Sequence, residues 1–403
     1  MSVRDLRADE HDRFLPIYCV WELTLRCDQA CAFCGSRAAR ARPDELTTAE
    51  LLEVADQLAA LGTREVTLIG GEAYLRPDVV EVIARLHRHG IRVGLQTAGR
   101  GLTEERLAGM VDAGLDAVGV SVMGSEAVHD RLHGWRGSHA AALRALEVGR
   151  RAGLPTTVNT HVCRPNLGDL RVVRDAVRAR GARTWRVGLM VPMGRFADHP
   201  EWQPQPDDVV TAIDALAEMQ LEEVDGRPPS ELFDIQLDNT LGYFGPHEVV
   251  LRGRVGGAMR HYAGCVAGRY SLGIESDGTI KGCPSLPTAP YAGGNVRDAR
   301  LADVWAHAEA LRFARERTTD ELSGFCAGCY YADSCRGGCS FLTHTLLGRR
   351  GDNPLCYHRV VTLRRRGVRE RLVQVVSAAG IPYDFGRYEI VEEAVNAGPS
   401  AVV

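Results

Sequence analysis

Between about residues 17 and 222 the chain alternates short apolar runs with amphipathic segments, and this rhythm constrains the fold more than any other feature. Ile17–Leu25, Arg64–Ile69, Ile91–Thr97, Leu115–Val122, Pro155–Cys163 and Thr184–Met190 read as strands. Thr47–Leu61, Pro77–Arg88, Thr103–Ala113, Leu167–Arg180 and Pro206–Gln220 read as helices, as does a stretch from about Ser125 to Ala152 with a break at His133–Gly137. Thr47 followed three residues later by Glu50 has capping-box spacing. Pro77 stands at a first helical turn. Such alternation implies a parallel sheet with helices packed on it. Val66–Ile69 and Val118–Val122 are unbroken apolar runs, as strands buried on both faces require. Six units fall short of a closed eight-stranded barrel. The expectation is an α/β fold: a partial (β/α)6 TIM-like barrel.

The 403 residues leave room for a second unit. No apolar run reaches the roughly 18–20 residues that span a bilayer, and Met1–Arg13 holds no apolar signal core. The reading is a cytoplasmic chain with no membrane partner. A net charge of -4 gives no support for nucleic-acid binding. A single lysine, Lys281, stands among 48 basic residues, a skew that a GC-rich genome explains.

Twelve cysteines in a cytosolic setting point to metal rather than disulfides. Cys27, Cys31 and Cys34 form one tight group, and Cys326, Cys329, Cys335 and Cys339 another. Cys265, Cys283 and Cys356 flank the second, and Cys19 and Cys163 are left over. The first group follows the first strand, at the face where barrel enzymes place their sites. Three thiolates suit one soft centre. A structural zinc site wants four ligands, so three leave a position free.

The rest divides into a Pro/Gly-punctuated bridge over residues 223–264, a cysteine-rich unit over 265–356 and an end segment over 357–403. Residues 1–16 form an N-terminal extension to a barrel over 17–222. The end segment is expected to begin with an arginine-rich helix, about Val360 to Ala378, and to finish disordered.

Cys27-x3-Cys31-x-Phe33-Cys34 after a first strand resembles the radical S-adenosylmethionine (radical SAM) superfamily. The resemblance implies that the three cysteines hold a [4Fe-4S] cluster whose fourth iron chelates S-adenosylmethionine (AdoMet), with Phe33 near the adenine. Gly70-Gly71-Glu72 ends the second strand and is similar to the family's GGE motif, which binds the AdoMet amino group. Thr97 stands where the family has Thr-Asn-Gly, with Ala98 in place of Asn. Ser121 occupies the place of a ribose contact, Arg131 in His129–Gly134 that of a carboxylate contact, and Asn159 matches more weakly. So does the turn Val191–Arg195 after the sixth strand.

The later cysteines resemble the SPASM pattern at all seven positions, so a C-terminal iron–sulfur (SPASM) domain is expected. A zinc ribbon over residues 326–339 would leave Cys265, Cys283 and Cys356 unexplained. The resemblance implies two auxiliary [4Fe-4S] clusters, for three clusters in all. Cys265, Cys283 and Cys339 would hold auxiliary cluster I, and Cys326, Cys329, Cys335 and Cys356 auxiliary cluster II. Three cysteines leave cluster I open to a further ligand.

The family chemistry this implies is reductive cleavage of AdoMet to a 5′-deoxyadenosyl radical that takes hydrogen from an unactivated C–H bond. The protein orients the substrate and excludes water. The substrate reading is a ribosomally synthesised precursor peptide, modified by a cross-link, a thioether or another oxidative C–H modification. The alternative is a carbohydrate or aminoglycoside dehydrogenase or decarboxylase. Pro284 and Ser285 follow Cys283 where sulfatase maturases carry Asp, which disfavours that branch. A barrel that starts near Ile17 leaves no room for a peptide-recognition domain, so a separate recognition protein or direct docking is implied. A flavodoxin- or ferredoxin-type donor would supply electrons. Cys163, at the end of the fifth strand, is a candidate hydrogen donor; its bland alternative is a buried small hydrophobe. His161 beside it is a candidate acid/base, and Cys19 reads as core.

Overall fold

The computed structural model describes residues 6, 7, 10, 13–224, 233–243, 245–253 and 262–395. Six β/α units run in the expected order. The strands are β1 (Tyr18–Glu22), β2 (Glu65–Ile69), β3 (Arg92–Thr97), β4 (Ala117–Ser121), β5 (Thr156–Val162) and β6 (Thr184–Leu189). The helices are α1 (Thr48–Ala60), α2 (Val79–Arg88), α3 (Glu104–Asp112), the pair α4 (Glu126–His133) and α5 (Ser138–Arg151), α6 (Leu170–Arg178) and α7 (Pro206–Val224).

Local chemistry explains these boundaries. Thr47 and Glu50 form the reciprocal capping box on α1. Gly134, at φ 75°, ends α4, and Gly137, at φ 93°, precedes α5, so the break falls where expected. Pro77 lies one residue outside α2, whose N-cap is Asp78. Leu51, Val54, Ala55 and Leu58 of α1 are buried together with Val66 and Leu68 of β2. Cys19 and Trp21 leave β1 on the helix side and are fully buried, as the core reading of Cys19 requires.

The sheet is larger than six strands. Its order is β10-β9-β8-β1-β2-β3-β4-β5-β6-β7. The strand β7 (Asp234–Leu237), inside the segment read as a bridge, pairs parallel with β6. The strand β8 (Ser271–Ile274) pairs parallel with β1, and β9 (Thr279–Lys281) and β10 (Ala292–Asn295) continue antiparallel. The start of the cysteine-rich region is therefore built into the barrel sheet. Of the glycines and prolines that punctuate the bridge, Gly253 is described, whereas Gly226, Pro228, Pro229, Gly256 and Gly257 lie outside the described residues.

The end segment departs from expectation. A helix spans only Tyr357–Arg365. Gly367, at φ 73°, stops it. The antiparallel hairpin β11 (Val368–Val376) and β12 (Arg387–Ala394) follows. Glu370 and Leu372 are buried while Arg369 and Arg371 are exposed. That is the period of a strand, and a run of arginines had masked it. The last few residues, expected to be disordered, lie outside the described residues.

Candidate active site

The loop after β1 carries Cys27, Cys31 and Cys34, and its neighbours hold it from several sides. Cys27 N donates to Ala39 O at 3.1 Å. Arg195 donates from Nε to Cys31 O at 2.7 Å and from Nη2 to Ala38 O at 3.1 Å. Burial pushes the Cys27 thiol up to about 12 and the Cys31 thiol well above its usual range, with neighbouring thiols adding to the shift. Each sulfur meets a donor. Gln29 N donates to Cys27 Sγ at 3.4 Å and Ala38 N to Cys34 Sγ at 3.3 Å, and His133 Nδ1 lies 3.3 Å from Cys31 Sγ.

The turn after β2 presses against this loop. A Cβ on Gly70 would come within 2.4 Å of Thr24 O, and one on Gly71 within 2.0 Å of Arg26 O. Only glycine permits that approach. Glu72 N donates to Arg26 O at 2.9 Å. The Glu72 carboxylate is buried and accepts from Thr97 Oγ1 at 2.7 Å and Ala98 N at 2.8 Å. Burial pushes it up to about 8, against the pull of those two donors.

Gln96 joins the other expected contacts. It donates to Ser121 Oγ at 3.1 Å and accepts from Asn159 Nδ2. Phe33 packs beside Met123, Leu132, Cys163, Met190, Phe196 and Trp202. Cys163 within that cluster is fully buried. Burial raises its thiol to about 12. Arg131 is exposed and lays its guanidinium 5.0 Å from the Trp202 ring centre. His161 Nε2 stands 4.0 Å from Asp238 Oδ2, just past the end of β7.

The other cysteines form two further groups. Cys326, Cys329, Cys335 and Cys356 line one pocket. Tyr243, Phe325, Tyr331 and His358 also line it. Asn353 N donates to Cys326 Sγ at 3.4 Å and Tyr331 N to Cys329 Sγ at 3.4 Å. Burial dominates the upward shifts of Cys283 and Cys339; the neighbouring Cys265 raises both further, and Cys283 also raises Cys339. Asp238 acts on Cys339 in the same sense. Among the described residues no three His, Cys, Asp or Glu side chains converge as the ligands of one metal ion. The four thiols of the pocket line a shared space.

A family model of the radical SAM superfamily matches residues 21–176, and one of an iron–sulfur cluster-binding domain, SPASM, matches residues 265–330. The AdoMet-dependent heme synthase of Methanosarcina barkeri is 30% identical over 85% of this chain and 97% of its own length. The PqqA peptide cyclase of Methylocella silvestris is 30% identical over 85% of this chain and 87% of its own. The chain belongs to the radical SAM superfamily. Streptococcus suis SuiB, in a structure bound to S-adenosylmethionine, shares the fold at TM-score 0.63 and 15% identity, over 81% of this chain and 73% of that one. Radical SAM enzymes require a [4Fe-4S] cluster and AdoMet, and the SPASM part binds further iron–sulfur clusters.

For a radical SAM enzyme the arrangement is coherent. The structure brings Cys27, Cys31, Cys34, Gly70, Gly71, Glu72 and Thr97 into one contact network around the loop. Gln96 links Ser121 to Asn159 in a second. Arg131 stacks on Trp202 and, among the described residues, hydrogen-bonds to neither network. Reasoning from sequence missed Gln96, His133 and Asp238. His133 lay inside the quoted segment His129–Gly134, and Gln96 immediately precedes Thr97. Asp238 had no local signal, because only the pairing of β7 with β6 carries it to His161.

Proposed function

We propose that this radical SAM/SPASM enzyme oxidatively modifies a C–H position of a ribosomally synthesised precursor peptide, forming a cross-link or thioether. The observation that carries the reading is the fit of the Cys27/Cys31/Cys34 loop against Gly70-Gly71-Glu72. The peptide class rests on similarity to the PqqA peptide cyclase along most of the chain.

The residues fit three [4Fe-4S] clusters. Cys27, Cys31 and Cys34 would hold the first; Cys265, Cys283 and Cys339 the second; Cys326, Cys329, Cys335 and Cys356 the third. Bound with AdoMet, these groups supply one-electron chemistry and a carbon-centred radical. The chain supplies the rest. Glu72, braced by Thr97, would receive the AdoMet ammonium beside Gly70 and Gly71. Ser121, with Gln96 and Asn159, would orient the ribose, and Phe33 would pack on the adenine. Arg131 would reach the AdoMet carboxylate only by leaving Trp202. Full burial of Cys163 among apolar side chains favours packing over hydrogen donation. The proposed partition is 1–16, 17–222, 223–264, 265–356 and 357–403, with β7 and β8 adding strands to the barrel sheet. A flavodoxin- or ferredoxin-type donor, a separate recognition protein and a cytoplasmic setting complete the reading. No helix among the described residues is long and apolar enough to cross a membrane.

The similarity to the AdoMet-dependent heme synthase favours a second reading, a small-molecule substrate. One experiment addresses both. The protein is reconstituted anaerobically, iron and sulfide are counted, and deoxyadenosine is followed with candidate precursor peptides and with porphyrin or sugar substrates. About twelve irons per chain, four per cubane cluster, and a peptide that loses a hydrogen pair support the proposal. Turnover of a small molecule alone replaces it.

A further inference from the structure

Of the three sulfurs on the first loop, two receive backbone N–H groups from within the loop's own sequence, Gln29 N and Ala38 N. The third, Cys31 Sγ, is reached by a side chain 102 residues away, His133 at 3.3 Å. A cysteine sulfur bound to iron has no proton to give. The contact then requires Nδ1 to be the protonated nitrogen of His133, with Nε2 left as an acceptor.

The placement of His133 is specific. Leu132 O accepts from Ala32 N at 2.8 Å, which locks the end of α4 onto the cysteine loop. Trp135 Nε1 donates to Gln29 Oε1. A Cβ on Gly134 would come within 2.7 Å of Ala30 O, so the elbow between α4 and α5 lies flat against the loop. The imidazole itself stacks on His129, ring centres 4.0 Å apart and planes 6° apart, and meets Phe33 edge-on at 5.0 Å. His129 is fixed in its own tautomer, accepting from Met123 N at 3.0 Å and reaching Ser138 Oγ at 3.1 Å from Nε2.

One observation separates a functional role from packing. His133 is 1% exposed, and its Nε2 is buried with no hydrogen-bond partner among the described residues. An unpaired buried acceptor costs free energy. A phenyl ring would stack on His129 and meet Phe33 without that cost. Among the described residues, the one polar contact the imidazole makes is with the Cys31 sulfur.

We propose that His133 is a positioning residue that donates its Nδ1–H to the Cys31 sulfur and thereby sets the reduction potential of the cluster held by Cys27, Cys31 and Cys34. Hydrogen bonds to cluster sulfurs stabilise the more negative, reduced state and raise the potential. The inference rests on the assignment of that cluster above and adds a role for a residue outside the cysteine motif.

The test is an EPR-monitored redox titration of the reconstituted full chain, following the signal that changes when AdoMet is added. His133→Phe keeps the stack and loses the donor; His133→Leu replaces it if the Phe variant does not hold iron. The donor-free variant should show a reduction equilibrium about tenfold less favourable, about 59 mV lower for one electron, with wild-type iron content. His133→Asn, which keeps an N–H donor, should recover part of the shift. Loss of iron in both donor-free variants but not in His133→Asn also supports the donor role. Unchanged potential at full iron content overturns the proposal, as does iron loss in all three variants. Absence of an AdoMet-sensitive signal in the wild type would overturn the cluster assignment instead.

Discussion

The hydroxyl of Thr97 donates to the buried carboxylate of Glu72 at 2.7 Å, which joins the end of β3 to the turn after β2. The same hydroxyl oxygen accepts from Gly99 N at 2.9 Å. Thr97 therefore aims Glu72 and shapes the third loop at once. Thr97→Val should leave a buried carboxylate short of a partner, at about 1–3 kcal/mol, and weaken AdoMet binding. Urea denaturation and AdoMet titration on the same variant would show both effects.

Glu72 also predicts a pH dependence. Burial raises its carboxyl from 4.5 to about 8. Between those values the folded chain holds a proton that the unfolded chain has lost, so this group's contribution to stability falls as pH rises through that window. An AdoMet ammonium placed against the carboxylate favours its ionised form. AdoMet binding should therefore tighten as pH rises towards 8 and release a proton below it. Calorimetry in buffers of different ionisation enthalpy measures that proton, and Glu72→Gln should abolish its release and weaken binding at least about tenfold, the order expected from losing a charged hydrogen bond. Equal proton release by the variant would remove Glu72 from the AdoMet site.

Gly71→Ala isolates the close approach of the β2 turn to the cysteine loop. The added methyl would lie 2.0 Å from Arg26 O, with no flexible side chain to give way. The loop must move, and Cys27 moves with it. Iron content should fall by about four per chain, one cubane, while the auxiliary clusters stay. Full iron content with unchanged AdoMet cleavage would contradict the placement.

These contacts show how much was readable in the sequence. The Cys27–Cys34 spacing, the Gly70-Gly71-Glu72 turn and the Thr47–Glu50 cap are local patterns; the cap forms as its spacing implies, and the glycines pack against the cysteine loop. The sheet edges are not local. Ser271–Ile274 pairs with Tyr18–Trp21 across some 250 residues, and nothing in either strand announces its partner. The hairpin after Arg365 was hidden differently. Arg364, Arg365, Arg366, Arg369 and Arg371 form one arginine-rich run across the boundary, and Gly367 marks the change of period.

That hairpin carries its own prediction. Its connecting loop buries Tyr383 against Glu22 of β1 and pairs Asp384 with Arg37, 2.9 Å from Nε to Oδ1. Tyr383 N donates to Gly35 O at 3.1 Å, beside Cys34. Asp384→Ala should release this loop from the cysteine loop at a cost of about 1.5–3 kcal/mol, the range for a charged hydrogen bond. Limited proteolysis near residues 377–386 would report the release; an unchanged digestion pattern would argue that Tyr383 alone anchors the loop.

Arg359 bridges Asp352 and Glu370 at 2.5 and 2.7 Å, and all three side chains are buried. Asp352 adjoins Asn353, whose N–H donates to Cys326 Sγ. The triad thus ties the β11 strand to the wall of the pocket lined by Cys326, Cys329, Cys335 and Cys356. Removing the cation strips Glu370 of its bridging partner and leaves Asp352 with Arg349 at 3.3 Å, and breaking a buried ion pair costs about 3–5 kcal/mol. Arg359→Leu should therefore lower the denaturation midpoint and loosen the iron of that pocket, while iron bound by Cys27, Cys31 and Cys34 is retained. Cys326→Ala should remove the same iron without the stability loss from the triad, and some AdoMet cleavage should survive it. Cys27→Ala should abolish deoxyadenosine formation altogether. If Arg359→Leu instead released the first cluster and spared the last, the triad would be bracing the barrel rather than the SPASM pocket.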